Sequence, residues 1–145
     1  MARVLVADDG EANLRVAAAA LRIAGHEALL ARNGEQCLEI AAADGPAIVL
    51  LDVHMPDMDG LEVLRRLRAD ERTSGVAVVA FTAHAMKGDA ERLLALGFDA
   101  YVGKPIRYRE FLAQVAALIE ATNARNASSG SAGPPGSVGS VGRDD

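Results

Sequence analysis

The sequence contains no tryptophan and few other aromatic residues, with two tyrosines and three phenylalanines among 145 residues. Half of the chain is nonetheless hydrophobic, so a core must be built mainly from valine, leucine, isoleucine and alanine. This length and apolar content suit one domain. The single cysteine, Cys37, excludes a disulfide framework and a cysteine-based metal cluster.

Membrane-spanning and strongly basic segments are also missing. No run approaches the ~20 apolar residues that a membrane span needs, and the chain begins directly with strand-like sequence rather than a signal peptide. We therefore expect a cytoplasmic protein without membrane contact. The formal net charge of −5 argues against nucleic-acid binding, which needs a basic face. The stretch with Arg65, Arg66 and Arg68 is typical of a solvated helix face.

Five short apolar runs alternate along the chain with segments of helical periodicity. The runs lie at residues 4–7, 28–30, 48–51, 76–81 and 100–102. Such alternation predicts a parallel sheet with helices on both faces. The third and fourth runs carry almost no polar residues, so we expect these two strands to be buried on both faces.

The composition changes near the C-terminus to serine, glycine and proline with little apolar content. Such a segment cannot bury enough surface to offset the entropy of ordering. We therefore predict one domain at residues 1–122 and a flexible tail or linker at residues 123–145.

Polar side chains stand at the ends of four predicted strands. They are Asp8 and Asp9 after the first strand, Asp52 at the end of the third, Thr82 at the end of the fourth, and Lys104 with Pro105 after the fifth. Because ligands bind at the carboxyl ends of the strands in open parallel sheets, we expect these groups to converge on one rim. Only two of the 15 basic residues are lysines, Lys87 and Lys104, and a lysine retained among arginines suits a site that needs a compact charge.

Each of these residues also has a simpler interpretation. Asp8, Asp9 and Thr82 are types that cap helices, Asp52 could end a strand in a turn, and Lys104 could be a surface lysine. If all of these simpler interpretations were correct, complementary groups would stand at four strand ends by coincidence. A shared site explains their positions with one cause.

The grouping also suggests a chemistry. Three neighbouring carboxylates repel one another unless cations join them, and Lys104 supplies only one positive charge. Mg²⁺ prefers oxygen ligands and often binds one or two carboxylates together with a phosphate. A phosphoryl group is therefore the expected ligand. One carboxylate would attack its phosphorus atom, and the metal, the lysine and the hydroxyl would stabilise its charge.

In their order and spacing, four segments resemble the receiver domain of two-component response regulators, over roughly residues 2–121. These segments are VLVADD, VLLDVHMPDMDG, VVAFTAHAMKGDAER and AYVGKPI. The resemblance implies a flavodoxin-like, doubly wound α/β fold with a five-stranded parallel sheet of order 2-1-3-4-5 and five helices.

The resemblance also implies a role for each rim residue. Asp52 would be the phosphoacceptor and a Mg²⁺ ligand, Asp9 a direct ligand, Asp8 a ligand through a metal-bound water, and the backbone carbonyl of His54 the last ligand from the protein. Thr82 would be the switch hydroxyl, Tyr101 the aromatic that changes rotamer with it, and Lys104 the partner of the acyl phosphate. The bond between Lys104 and Pro105 would be cis.

Two features of the loops carry further expectations. His54 and His84 would flank the path of attacking water and could set the lifetime of the phosphoryl group. Asp57 and Asp59 are expected in the turn into the third helix, with Asp59 as its cap and Gly60 as a tight-turn residue.

We therefore predict a phosphorylation-dependent switch without turnover of an external substrate. A histidine kinase or histidine phosphotransfer protein would supply the phosphoryl group, and a downstream protein would bind the face of helix 4, strand 5 and helix 5, with dimer formation on phosphorylation as one option. The alternatives are a receiver module cut from a hybrid histidine kinase, a phosphorylation-independent pseudo-receiver, and a phosphatase. A phosphatase would need a second acid and a cap, and neither is evident.

Overall fold

The structure, a computed structural model, describes residues 2–83 and 87–131. Over these residues, strands and helices alternate along the chain. In order they are β1 (Arg3–Ala7), α1 (Glu11–Ile23), β2 (Glu27–Ala31), α2 (Gly34–Asp44), β3 (Ile48–Asp52), α3 (Gly60–Ala69), β4 (Ala77–Thr82), α4 (Lys87–Ala95), β5 (Ala100–Gly103) and α5 (Tyr108–Ser131).

The strands form one parallel sheet in the order β2-β1-β3-β4-β5. The predicted fold class, a flavodoxin-like doubly wound sheet with five helices, is confirmed. The strand order reverses direction between β1 and β3, which pair from Val4 with Ile48 to Ala7 with Leu51. A crevice opens at the carboxyl ends of these two central strands, where open α/β sheets bind their ligands.

The core has two layers, one on each face of the sheet. On one face, alternate residues of β1, β3 and β4 pack against α2, α3 and α4, with Cys37, Val63 and Leu93 as examples. On the other face, the intervening residues pack against α1 and α5, including Leu14 and Phe111. β3 and β4 are buried throughout, as predicted from their nearly continuous apolar sequence.

The lone cysteine belongs to this core and has no chemical role at the sheet edge. Cys37 is fully buried in α2, and its burial, followed by the charge of Asp57, raises the pKa of the thiol to about 12. A thiol with such a pKa is not a thiolate at neutral pH and is therefore unreactive.

α5 extends beyond the predicted domain boundary. The helix continues to Ser131, and Thr122 at the predicted boundary is buried. The alanines in residues 121–127 favour continuation of the helix, which an argument from glycine, serine and proline content overlooks. Residues 132–145 of the predicted tail lie outside the described residues, and its flexibility stays a prediction. Within the described part of the chain, no helix is both long enough and apolar enough to cross a membrane.

Candidate functional site

Asp52 lies at the end of the central strand β3, and its carboxylate is almost entirely buried, with 7% of the side chain exposed. The sequence places it there because the apolar residues before it hold β3 inside the sheet. Its Oδ1 accepts a hydrogen bond from the backbone N–H of His54 at 3.0 Å. Burial raises the pKa of Asp52, and this hydrogen bond and the nearby Lys104 offset only part of the rise.

Lys104, which directly follows the edge strand β5, supplies the positive charge of the site. Its Nζ lies 2.7 Å from Oδ2 of Asp8 and 3.4 Å from Oδ1 of Asp52. The ammonium also lies 4.9 Å from the centre of the Phe81 ring, a distance suited to cation–π attraction. Its backbone N–H donates to the carbonyl oxygen of Thr82 at 2.8 Å. The Lys104–Pro105 bond is cis, as the resemblance implied.

Three carboxylates meet next to this lysine. Asp8, Asp9 and Asp52 each offer an oxygen atom, and these oxygens all lie within 4.8 Å of one another. Asp8 is buried and Asp9 is exposed. Oδ1 of Asp8 accepts a hydrogen bond from the N–H of Gly10 at 2.7 Å, and this turn leads directly into α1. Gly10 is the N-cap of α1, without a side chain to cap it.

The donor set fits a magnesium ion. Oδ2 of Asp8 is buried, and its partner among the described residues is the Lys104 ammonium at 2.7 Å. A carboxylate oxygen can accept more than one hydrogen bond, so this oxygen can also accept one from a metal-bound water. Three carboxylates against one ammonium leave an excess of negative charge, and the ligands are oxygens, which a hard divalent cation prefers.

The other predicted site residues that the structure describes lie in β4, in β5 and in the loop after β3. Thr82 ends β4 next to Asp52, since Asp52 pairs with Phe81 in the sheet, and it is buried. Tyr101 lies in β5 opposite Ala80 and packs, half-buried, against the core. His54 is exposed in the loop after β3. His84 lies outside the described residues.

Asp57 and Asp59 differ in their partners. Asp59 caps α3, with its carboxylate accepting a hydrogen bond from the N–H of Glu62 at 2.9 Å, as predicted. Asp57 also lies in the segment that leads into α3, as expected, but its carboxylate bonds to a different helix. Its two oxygens accept hydrogen bonds from the N–H groups of Gly34 at 2.8 Å and Glu35 at 3.1 Å, at the start of α2. These bonds, with that from Gly34 foremost, lower the pKa of Asp57.

Gly60 permits a close approach between two backbone segments beside Asp52. A Cβ atom at this position would lie 2.8 Å from the Cα atom of Val53 and 3.1 Å from the carbonyl oxygen of Asp52. The N–H of Gly60 also donates to the carbonyl oxygen of Val53 at 2.8 Å. Its tight-turn role, expected from the sequence, therefore has a steric cause: backbone atoms leave no room for a side chain.

Replacing Gly60 with alanine should destabilise the protein by about 2 kcal/mol, because the backbone around Val53 has to move to admit the methyl group. Urea denaturation followed by circular dichroism would measure this loss. Gly88→Ala is the matched control, since Gly88 lies in α4 with open space around it, and alanine there should stabilise the helix by up to about 1 kcal/mol. Equal effects of the two substitutions would contradict the steric explanation.

The fold and the site together define a doubly wound α/β domain with a carboxylate cluster and a lysine at the carboxyl edge of its sheet. The chain belongs to the response regulator receiver domain family, whose pattern matches residues 4–116. Members of this family are signalling switches of two-component systems rather than enzymes that turn over an external substrate. The phosphatase alternative is therefore rejected.

Individual relatives agree with this assignment. The chain is 34% identical over 116 residues to the polar-differentiation response regulator DivK of Brucella anthropi, which covers 80% of this chain and 94% of the relative. DivK of Brucella ovis matches over the same lengths with the same identity.

Solved structures extend the comparison. The receiver domain of the sensor histidine kinase PA1611 from Pseudomonas aeruginosa PAO1 is 30% identical, with a TM-score of 0.75 over 82% of this chain and 98% of that one, and it holds a magnesium ion in its active site cleft. The receiver domain of the Francisella response regulator 1452 has a TM-score of 0.76 at 24% identity, over 84% and 99% of the chains, and supports the fold alone. The family binds Mg²⁺ at its acidic site and interacts with histidine kinases or phosphotransfer proteins.

Proposed function

We propose that Asp52 accepts a phosphoryl group and that the protein acts as a phosphorylation-dependent switch. The observation that carries the proposal is the position of the Asp52 carboxylate, which is buried at the end of β3, 3.4 Å from the Lys104 ammonium and within reach of two further carboxylates. The nucleophile, the cation and the acidic pair come from three different strand ends. Such convergence suits charge stabilisation during phosphoryl transfer.

Mg²⁺ would be held by Asp9 directly, by Asp8 through a water molecule, by Asp52 and by the backbone carbonyl of His54. When bound, the ion supplies positive charge that neutralises the oxygens of the phosphoryl group. The all-oxygen donor set and the excess of three carboxylates over one ammonium support this assignment.

The transfer itself uses groups of this chain. A carboxylate oxygen of Asp52 attacks phosphorus, a P–O bond forms, and the P–N bond to the donor's phosphohistidine breaks, so that the histidine leaves as the free side chain. Lys104 pairs with the new acyl phosphate, and the Thr82 hydroxyl donates a hydrogen bond to it. Movement of Thr82 toward the phosphoryl group, followed by Tyr101, would convert this local charge into a change of the surface around α4 and β5.

A histidine kinase or histidine phosphotransfer protein would supply the phosphoryl group in the cytoplasm, and a downstream protein would bind the face of α4, β5 and α5. Two large side chains on these helices are exposed, Leu94 at 45% and Tyr108 at 46%, and suit protein contact. The chain resembles both a response regulator, DivK, and the receiver domain of a histidine kinase, so a receiver cut from a hybrid kinase stays the alternative. The complete set of rim residues argues against a pseudo-receiver.

Intact-mass measurement after incubation with Mg²⁺ and acetyl phosphate would test the proposal. We expect a mass gain of one phosphoryl group, loss of this gain when EDTA removes Mg²⁺, and its gradual disappearance as the acyl phosphate hydrolyses. The absence of any adduct, with phosphoramidate as well as acetyl phosphate, would favour the phosphorylation-independent alternative.

A further inference from the structure

The loop between β3 and α3, residues 53–59, is fastened to α2 by one carboxylate. Asp57 accepts hydrogen bonds through separate oxygens from two successive backbone N–H groups, those of Gly34 and Glu35, at 2.8 and 3.1 Å. These N–H groups belong to the first turn of α2, where no carbonyl of the same helix is in reach. More than 20 residues of sequence separate the two sides of this contact.

α2 has its own N-cap, so Asp57 is an additional partner rather than the usual cap. Asn33 is the N-cap residue, and its side chain accepts a hydrogen bond from the N–H of Gln36 at 2.8 Å. Asp57, by contrast, lies in another segment and is exposed, so it contributes no apolar burial. The effect of its two bonds is to join the loop to the helix.

Packing supports the same connection. A Cβ atom at Gly34 would lie 2.8 Å from Cγ of Met58 and 3.0 Å from Cγ2 of Val63. The residue that follows Asp57 therefore lies directly against the start of α2, and the glycine makes this approach sterically permissible. The loop is held to α2 by polar and apolar contacts at adjacent positions.

The fastened loop carries backbone groups of the phosphoryl site. It starts at Asp52, whose Oδ1 accepts the N–H of His54, and it closes where the N–H of Gly60 donates to Val53. Asp57 lies between these two points, three residues after His54. Without the Asp57 bonds, the loop would keep its two ends and the apolar contact of Met58, but it would lose its hydrogen bonds to α2.

We propose that Asp57 is a positioning residue for the magnesium site: by binding the start of α2, it fixes the loop from which the His54 carbonyl faces the metal. This inference rests on the proposed function, because it takes the His54 carbonyl as a ligand. Groups that orient metal ligands without touching the ion commonly change metal affinity by about 10- to 100-fold when removed. Mg²⁺ tolerates little departure from octahedral geometry, so its affinity should report the loop position.

The test compares Mg²⁺ dissociation constants of the full chain by isothermal titration calorimetry. Asp57→Ala should weaken Mg²⁺ binding by about 10-fold, and Asp57→Asn, which keeps the shape and one acceptor oxygen, by about 3-fold, since roughly half of the interaction remains. The matched control is Asp59→Ala, which removes a carboxylate from the same loop that caps α3 instead, and it should change the constant by less than about 2-fold. Circular dichroism would verify that each variant is folded.

A spectroscopic measurement follows the connection itself. In two-dimensional NMR spectra, the amide signals of Gly34 and Glu35 should shift when wild-type protein binds Mg²⁺, and they should no longer respond in Asp57→Ala at saturating Mg²⁺. A role limited to stability would leave the dissociation constant unchanged and would not link these signals to the metal.

The possible results distinguish a failure of the proposed function from a failure of the positioning role alone. If wild-type protein binds no Mg²⁺ at millimolar concentrations, the proposed function fails and this inference with it. If wild-type protein binds Mg²⁺ but Asp57→Asn and Asp57→Ala bind it equally well, the proposed function stands and the positioning role is overturned. Equal weakening by Asp59→Ala would also overturn it, because the effect would then belong to any change in the loop.

Discussion

Replacing Asp52 with asparagine should abolish phosphoryl uptake and, at the same time, make the Mg²⁺-free protein more stable at neutral pH. The loss of uptake follows because asparagine has no carboxylate to attack phosphorus. The gain in stability follows because Asp52 is an acid whose pKa is raised by burial, so its charged form is less favourable in the folded protein than in the unfolded chain.

The raised pKa of Asp52 determines how the stability gain of Asp52→Asn depends on pH. Between the ordinary pKa of an aspartate, near 3.8, and the raised value in the folded protein, the folded state binds more protons than the unfolded one. Wild-type stability therefore decreases as the pH rises through this window, and the cost is fully present above it. The advantage of Asp52→Asn should be present at pH 7 and vanish below about pH 3.8.

Intact-mass spectra and urea denaturation in EDTA would measure the two effects. Asp59→Asn is the control, because this exposed residue caps α3 and its replacement should leave the phosphoryl adduct intact. Added Mg²⁺ should remove or reverse the stability difference, since wild-type protein gains more from binding the ion. An adduct that persists in Asp52→Asn would place the phosphoacceptor at another residue.

Replacing Lys104 with methionine should cost about 3 kcal/mol of stability in the absence of Mg²⁺. Asp8 is only 1% exposed and lies 2.7 Å from the Lys104 ammonium, so the substitution leaves a buried charge without its partner. Removing one member of such a buried pair is strongly destabilising. Methionine retains most of the apolar stem, which limits the change to the loss of charge.

Denaturation curves with and without Mg²⁺ would check this prediction. Mg²⁺ should restore part of the lost stability, because the ion supplies positive charge to the same carboxylates. Arg107→Met is the control: Arg107 is 80% exposed and lies 3.8 Å from Glu110, and such surface pairs contribute less than about 1 kcal/mol. A loss in Lys104→Met no larger than in the control would show that the Lys104 ammonium does not compensate a buried charge.

The effects expected for Asp52→Asn and Lys104→Met both depend on how one cation is placed among three carboxylates. Lys104 lies nearer to Asp8 than to Asp52, by 2.7 against 3.4 Å. Asp52 is thus the less well compensated of the two buried carboxylates, which agrees with its raised pKa. In the proposed function Asp52 is the nucleophile, and the shorter ion-pair distance at Asp8 would leave Asp52 more accessible to an incoming phosphoryl group.

The three arginines of α3 were expected to form a solvated helix face, but their partners differ. Arg65 and Arg66 are exposed and pair with Glu62 of the same helix, as expected for a solvated helix face. Arg68 instead reaches Asp99 at 2.8 Å and the carbonyl oxygen of Val76 at 2.6 Å, and so joins α3 to the residues immediately before β4 and β5. The spacing of these arginines on the helix does not distinguish the two kinds of contact.

Patterns in the sequence were sufficient to predict the alternation of strands and helices, the burial of β3 and β4, and the set of polar groups at the sheet edge. These features follow from local patterns: apolar runs specify buried strands, and parallel strands place their carboxyl ends together. For this reason Asp8, Asp9, Asp52 and Lys104 could be assigned to one site before any distance was known.

The partner of each polar or small residue at this edge, by contrast, depends on how the separate elements pack together. Asp57 binds α2 rather than α3, Gly60 is small because the backbone of Val53 lies against it, and Lys104 favours Asp8 over Asp52. Each contact joins residues whose closeness depends on how separate elements dock, and neighbouring aspartates in one loop look alike in sequence. Periodicity and composition describe a residue's own segment, whereas packing between segments selects among partners that are chemically equivalent.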